Sequence, residues 1–175
     1  MRTVPCINLD DFAAKLTESA IRLYQRAGAG LLSVDFVMPR VLVVDDDPLV
    51  CATIEVFLQR QGFEVTLADG GERGLNALES STFDLMLVDI FMPHMRGFES
   101  IRIFHERAPT VPLIAMSGYA FANLDSSAPD FLRMALELGA ARCLRKPFTP
   151  AALLTAVNEC LAEARSRVPG AAQSR

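Results

Sequence analysis

Residues 41–48 read VLVVDDDP, and this stretch decides the fold. Its first four residues are all apolar, which is typical of a central strand of a parallel sheet, because both faces of such a strand are buried. Asp47 followed by Pro48 is typical of a helix N-cap with proline at the first helical position. A buried strand that runs through acidic residues into a helix predicts one β-α unit of an α/β protein.

The same alternation repeats along the chain from Arg40 onward. Short β-branched runs are followed by longer helical patterns, which indicates a parallel sheet with helices on its faces. Gly62 and Gly139 mark the ends of the first and fourth helices, and Thr149-Pro150 marks the start of the last. The predicted strands are 41–44, 63–68, 85–88, 113–116 and 142–144.

The two ends of the chain do not follow this alternation. Residues 10–27 carry an amphipathic stripe that ends at a Gly-Ala-Gly sequence, which predicts one helix and a flexible linker. Residues 165–175 contain three arginines, no acidic residue and a Pro-Gly pair, a composition typical of a disordered tail. We therefore expect an N-terminal extension over 1–37, one domain over 38–164 and a tail over 165–175.

Composition excludes several functional classes. The chain has 175 residues, 51% of them hydrophobic, which suffices for one ordinary core. Its net charge of -4 disfavours nucleic-acid binding, which requires basic residues that neutralise phosphates. No apolar run approaches the roughly 20 residues of a membrane span, and the start has no signal-peptide core. We expect a cytoplasmic protein without a membrane partner.

The four cysteines lie too far apart to predict a zinc site or a disulfide framework: Cys6, Cys51, Cys143 and Cys160.

Chemically informative residues follow the predicted strands. Asp45 and Asp46 follow the first strand, Asp89 the third, Ser117 the fourth and Lys146 the fifth. In open parallel sheets, ligands bind beyond the carboxyl ends of the strands. Crowded carboxylates repel one another and attract a divalent cation, and oxygen ligands favour Mg²⁺. A cation beside a carboxylate, a hydroxyl and an ammonium suits phosphoryl transfer.

Each of these residues also has an ordinary structural interpretation. Asp47 beside Pro48 is more typical of a helix cap than of a ligand, and Ser117 could be a turn residue. A single lysine is usually a surface residue. However, the chain has fifteen arginines and only two lysines, so Lys146 favours a role that needs a compact point charge. Asp89 is the best candidate for a phosphoryl acceptor, because it stands alone at the end of an apolar strand.

Residues 38–164 resemble the receiver domain of two-component response regulators. The matching segments are VLVVDDDP at 41–48, LMLVDIFMPHMRG at 85–97, LIAMSG at 113–118 and LRKPF at 144–148. The resemblance implies a flavodoxin-like fold, a doubly wound five-stranded parallel sheet of order 2-1-3-4-5. The predicted N-terminal helix would be an addition to that fold.

The resemblance also implies a role for each site residue. Asp89 would accept a phosphoryl group from a phosphohistidine, Lys146 would pair with the phosphoryl oxygens, and Ser117 would move toward them as the switch hydroxyl. The bond between Lys146 and Pro147 is usually cis in such domains. The implied Mg²⁺ ligands are Asp46, Asp89 and the Phe91 backbone carbonyl, with Asp45 binding through water.

By the same resemblance, the chain would be a single-domain response regulator and not an enzyme. Its phosphodonor would be a histidine kinase or a histidine phosphotransfer protein. Only about eleven residues follow the last predicted helix, too few for a helix-turn-helix. We therefore expect output through a protein target or by relay of the phosphoryl group, without direct nucleic-acid binding.

Two features depart from the family pattern, and one alternative stays open. Cys143 stands where many receivers have an aromatic residue in the fifth strand, and residues 121–129 are predicted to form an extended loop.

The alternative to a receiver domain is a phosphohydrolase of the haloacid-dehalogenase type with Asp45 as nucleophile, in which Ser117 and Lys146 would match further motifs. That class needs another acidic pair after the lysine, and only Glu159 and Glu163 follow it, both within a predicted helix.

Overall fold

The computed structural model of the protein describes residues 38–95, 97–118 and 131–167, apart from the side chains of residues 131 and 132. The predicted N-terminal extension over 1–37 and the predicted loop over 121–129 lie outside the described residues, as do residues 168–175. Strands and helices alternate in the order β1 (Arg40–Val44), α1 (Pro48–Gln59), β2 (Glu64–Ala68), α2 (Gly71–Ser80), β3 (Leu85–Asp89), α3 (Glu99–Arg107), β4 (Leu113–Ser117), α4 (Phe131–Glu137), β5 (Arg142–Arg145) and α5 (Pro150–Arg167).

The five strands form one parallel sheet of order β2-β1-β3-β4-β5, which confirms the predicted flavodoxin-like topology. In the ladders, Val44 pairs with both Ala68 and Val88, and Ser117 pairs with Arg145. The carboxyl ends of all strands therefore meet at one edge of the sheet. All five predicted strands are present, and their observed bounds differ from the prediction by one residue at an end.

The sheet is covered on both faces, because its central strands are apolar on both sides. Residues of β1, β3 and β4 that face one way pack with buried side chains of α1 and α5. Residues that face the other way pack with α2, α3 and α4. The result is the doubly wound arrangement with two helices on one face and three on the other. The largest side chain among those that are fully buried is Phe104 of α3.

Local signals define the helix ends. Asp47 caps α1, since its Oδ1 accepts hydrogen bonds from the amides of Leu49 at 2.8 Å and Val50 at 3.3 Å. Thr149 caps α5 through its Oγ1, which accepts from the amide of Ala152 at 3.1 Å. Gly139 has a φ of 107°, a conformation that glycine adopts without strain, just after α4.

The predicted tail is wrong over its first three residues, 165–167. Helix α5 continues through Arg167, past the predicted boundary at 164. Arginines near a helix C-terminus interact favourably with the helix dipole, so Arg165 and Arg167 extend this helix instead of ending it. Within the part of the chain that the structure describes, no helix is long and apolar enough to cross a membrane.

Two cysteines lie inside the apolar core and should be unreactive in the folded protein. Cys51 of α1 and Cys160 of α5 are buried, and this burial raises the pKa of each thiol to about 11. Since the thiolate is the nucleophile, we expect iodoacetamide at pH 8 to modify both at least about 100-fold more slowly in native protein than in urea. Peptide mapping by mass spectrometry measures this difference. Equal modification rates in both states would contradict the prediction.

Candidate functional site

The adjacent strands β1 and β3 bring two carboxylates to the carboxyl edge of the sheet. Asp45 directly follows β1, and its amide donates to the Ala68 carbonyl at 3.0 Å. Its side chain is fully buried, and its Oδ1 accepts a hydrogen bond from the Asp47 amide at 3.1 Å. Asp89 is the last residue of β3 and is 6% exposed. Both carboxylates therefore follow strand residues that are fully buried.

Lys146 bridges these two carboxylates. It follows β5, and its amide donates to the Ser117 carbonyl at 2.7 Å. Its Nζ lies 2.6 Å from Asp45 Oδ2 and 3.1 Å from Asp89 Oδ2. The bond from Lys146 to Pro147 is cis, as the resemblance implied. The ammonium is thus the counter-charge of two buried carboxylates.

Burial and neighbouring charges shift the pKa values of Asp45 and Lys146 in opposite directions. Burial raises the pKa of Asp45 above its ordinary value, and the nearby Lys146 ammonium offsets this only in part. Burial by itself would lower the pKa of Lys146, but its contacts with Asp45 and Asp89 outweigh burial and raise that pKa. Lys146 therefore stays protonated at neutral pH and holds a fixed positive charge at the site.

The site also has the donor set of a divalent cation site. One carboxylate oxygen from each of Asp45, Asp46 and Asp89 lies within 4.8 Å of the others. Asp46 is exposed, which leaves the group open to solvent on one side. Asp45 Oδ2 is buried and accepts no well-directed hydrogen bond within the described chain, so its partner there is the Lys146 ammonium. Hard oxygen donors with solvent access fit Mg²⁺.

Two further predicted residues lie close to this group. Ser117 is the last residue of β4, in the ladder next to β3, and is 9% exposed. Phe91 follows Asp89 by two residues, and its amide lies 3.4 Å from Asp89 Oδ1. The roles implied for the Ser117 hydroxyl and the Phe91 carbonyl stay predictions.

Two contacts of Asp45 were not predicted from the sequence. The resemblance paired Lys146 with phosphoryl oxygens, whereas its Nζ lies closest to Asp45 Oδ2. The need of a buried carboxylate for a cation is the signal that could have suggested this pair. The second contact is the Cys51 thiol, 3.4 Å from the Asp45 backbone carbonyl. A buried cysteine reads as an ordinary core residue, so no sequence signal points to it.

The acidic pair required by the phosphohydrolase alternative is not supplied by α5. Glu159 and Glu163 both lie on that helix and form ion pairs with Arg142. Arg142 is the first residue of β5, so this cluster lies at the opposite edge of the sheet from Asp45. Glu159 and Glu163 therefore do not supply the second acidic pair that a phosphohydrolase of this type needs near Asp45.

A parallel sheet of this order, with three aspartates and a lysine at its carboxyl edge, defines a doubly wound α/β domain with a charged site where ligands of such sheets bind. Residues 41–158 match the family model described as the response regulator receiver domain. Because that match covers more than half of the chain, the chain belongs to the receiver domain family of two-component response regulators. This confirms the resemblance. Receiver domains are phosphorylated on an aspartate and bind Mg²⁺ at an acidic pocket.

Curated relatives include both regulators and kinases. A probable transcriptional regulatory protein of Picosynechococcus sp. is 33% identical over 117 residues, 63% of this chain and 44% of that protein. The transcriptional regulatory protein ZraR of Klebsiella oxytoca is 34% identical over 71% of this chain and 27% of that protein. The sensor protein GacS of Pseudomonas syringae is 36% identical over 54% of this chain and 12% of that protein. The chain spans less than half the length of each relative.

Solved structures agree with this fold. A CheY-like response regulator receiver domain protein from Methanospirillum hungatei is 31% identical, with a TM-score of 0.66 over 74% of this chain and 98% of that chain. The receiver domain of the Francisella response regulator 1452 is 25% identical, with a TM-score of 0.61 over 71% of this chain and 98% of that chain.

Proposed function

We propose that this chain is a phosphorylation-controlled switch whose phosphoacceptor is Asp89. The observation that carries the proposal is the position of the Asp89 carboxylate, 3.1 Å from the Lys146 ammonium and grouped with Asp45 and Asp46 at one sheet edge. Its phosphodonor is the phosphohistidine of a histidine kinase or a histidine phosphotransfer protein. The sensor protein GacS, one of the relatives, supports a two-component partner.

The transfer is a substitution at phosphorus. An oxygen of Asp89 forms a bond to phosphorus while the bond from phosphorus to the histidine nitrogen breaks, and the imidazole takes up a proton. The product is an acyl phosphate on Asp89 and a free histidine. Lys146 is positioned to neutralise the charge that gathers on the transferred group, because its ammonium already lies beside Asp89 Oδ2. The chain thus acts as a phosphoacceptor and not as an enzyme.

The proposed ligands of Mg²⁺ are the Asp46 and Asp89 carboxylates and the Phe91 carbonyl, with Asp45 bound through water. When bound, Mg²⁺ would supply positive charge to the phosphoryl oxygens during transfer. The buried Asp45 carboxylate supports this assignment, because it has one nearby cation and no well-directed hydrogen-bond donor on Oδ2 in the described structure. The exposed Asp46 leaves an entry path from solvent.

The switch proposed here begins with a redistribution of Lys146 and Ser117. Phosphorylation of Asp89 replaces the single negative charge of its carboxylate with about two negative charges on the phosphoryl group, which compete with Asp45 for the Lys146 ammonium and attract the Ser117 hydroxyl. Lys146 and Ser117 are joined by a backbone hydrogen bond, so a shift of one strand end moves the other. Cys143 is too small to act as a rotating aromatic switch, which leaves β4 and the adjoining α4 to transmit the change.

Output through a protein target is supported by exposed apolar side chains. On α4, Met134 is 37% exposed and Leu136 is 49% exposed. On α1, beside the acidic group, Leu49 is 75% exposed and Val56 is 46% exposed, which suits docking of the phosphodonor. The net charge of -4 disfavours direct nucleic-acid binding by this chain.

The proposal is tested by the Mg²⁺ dependence of labelling with acetyl phosphate. We expect no labelling in EDTA, and in Asp46→Ala the Mg²⁺ concentration for half-maximal labelling should rise by at least about tenfold. Phosphate-affinity electrophoresis measures the labelled fraction. Asp69→Ala is the matched control, because Asp69 is an exposed aspartate at the end of β2 that pairs with Arg73 at 3.0 Å. An unchanged Mg²⁺ requirement in Asp46→Ala would contradict the proposed metal site.

A further inference from the structure

Met95, in the segment between β3 and α3, lies close to the first residue of α2. Gly71 is the first residue of α2 and is buried. A Cβ atom built on Gly71 would lie 2.6 Å from Met95 Sδ and 2.8 Å from both Met95 Cγ and Cε. Real Cβ atoms essentially never come this close to a neighbour, so the missing side chain of Gly71 provides the space that Met95 occupies. Met95 is itself partly buried against the core on the α2 face.

The backbone between Asp89 and Met95 connects this contact to the site. Met92 is 3% exposed, and its carbonyl accepts a hydrogen bond from the Met95 amide at 3.2 Å. Between them, His94 has a φ of 63°, a left-handed conformation that is unfavourable for residues other than glycine. This turn brings Met95 back toward α2. Phe91 immediately precedes Met92, so a displacement of Met95 reaches Phe91 through a short, tightly turned segment.

We propose that Met95 is a positioning residue for the metal site and acts by packing against Gly71. This inference rests on the proposed function, in which the Phe91 carbonyl and Asp89 bind Mg²⁺. Helix α2 contributes none of the proposed ligands, yet it holds the segment that carries Phe91. Partners that orient metal ligands raise affinity because they reduce the reorganisation needed on binding.

Phe91 also makes an edge-to-face contact with Phe98. Their ring centroids are 6.3 Å apart and the rings are inclined at 75°. Phe98 directly precedes α3, so the ring pair joins the beginning and the end of the same connecting segment. Met95 contacts a different helix of the domain, so it adds an attachment to α2 beside the packing of Phe91 and Phe98 against the same core.

A double-mutant cycle tests the proposal, with the Kd for Mg²⁺ measured by isothermal titration calorimetry on the full chain. Met95→Ala is expected to raise the Kd about tenfold, because it removes the packed side chain. Gly71→Ala is expected to raise it similarly, because the new Cβ displaces Met95. The double variant should bind no more weakly than Met95→Ala alone, since both substitutions act on one contact. Effects that multiply, or a Kd for Met95→Ala within about twofold of wild type, would overturn the proposal.

A control separates positioning from general loosening of the core. Leu78 lies on α2 and packs on the same core, but near the end of the helix that is remote from the site. Leu78→Ala should lower the thermal midpoint and leave the Kd for Mg²⁺ unchanged. If Leu78→Ala weakens Mg²⁺ binding as much as Met95→Ala does, the effect is one of stability and the positioning role is rejected.

A second readout requires no metal. In Mg²⁺-free buffer, Met95→Ala should speed amide hydrogen exchange in residues 90–95 while exchange in the last turns of α3 stays slow. Unchanged exchange in residues 90–95 would reject the positioning role.

Asp46→Ala distinguishes failure of the positioning role from failure of the proposed metal site. Loss of Mg²⁺ binding in Asp46→Ala but not in Met95→Ala rejects the positioning role alone. Unaltered binding in Asp46→Ala rejects the metal site and the positioning role with it.

Discussion

An Asp89→Asn variant is expected to take up no phosphoryl group from acetyl phosphate under conditions in which the wild-type chain is labelled. The substitution keeps the size and planarity of the side chain, but an amide is not a nucleophile at phosphorus. Asp89 is the carboxylate of the acidic group that lies on β3, beside Lys146. Intact-mass spectrometry measures the outcome as the fraction of chain that gains one phosphoryl group.

Asp69→Asn is the matched control for this loss. Asp69 also follows a strand of the sheet, but it is exposed and pairs with Arg73, so its amide variant should be labelled like wild type. Circular dichroism and thermal unfolding would verify that both variants are folded. Labelling that persists in Asp89→Asn would assign the phosphoacceptor elsewhere. Asp45 would then be the next candidate, since the phosphohydrolase alternative places its nucleophile there.

The sheet and its order were predictable because the central strands carry an unusually clear signal. In β1, β3 and β4, every residue from 41–44, 85–88 and 113–116 is fully buried, which is why these segments appear as unbroken apolar runs. Parallel pairing then forces the residues that follow each strand to one edge. The convergence of Asp45, Asp89 and Lys146 follows from that geometry, so the site could be located without its contacts being known.

Contacts that depend on register and side-chain packing could not be predicted in the same way. The 2.6 Å approach of Lys146 to Asp45 depends on the depth of each residue below the surface, which composition does not encode. The packing of Met95 on Gly71 joins residues from different β-α units, and neither residue type is unusual at its position in the sequence. Three arginines and a Pro-Gly pair after residue 164 predict a solvated tail, whereas α5 continues through Arg167.

Removal of Lys146 should have the largest effect on stability among changes at the site. Lys146→Ala is expected to lower the free energy of unfolding by about 3 kcal/mol at pH 7 without Mg²⁺, because a buried ion pair loses its cation. The side chain of Asp45 is completely inaccessible to solvent, that of Asp89 is 8% exposed, and the ammonium lies within 3.1 Å of both. Without it, two neighbouring carboxylates would share the site with no positive charge between them.

The loss in free energy of unfolding caused by Lys146→Ala should be larger at pH 7 than at pH 5. Burial already raises the pKa of Asp45 in the wild-type protein, and removal of the ammonium would raise it further. A carboxyl group with a higher pKa in the folded state than in the unfolded state stabilises the fold when it is protonated, and this stability is lost as pH rises through the folded-state pKa. The deficit of Lys146→Ala should therefore be largest at pH 7 and smaller at pH 5.

Urea unfolding at pH 7 and at pH 5, followed by circular dichroism, measures this deficit for Lys146→Ala against wild type. Arg145→Ala is the matched control, because Arg145 is an exposed cation one residue away and its loss should change stability by no more than about 0.5 kcal/mol at either pH. Added Mg²⁺ should recover part of the stability of Lys146→Ala, because a ligand that binds only the folded state stabilises it. A Lys146→Ala protein as stable as wild type at pH 7, or one whose deficit grows as the pH falls, would show that the ammonium does not compensate the buried Asp45 charge.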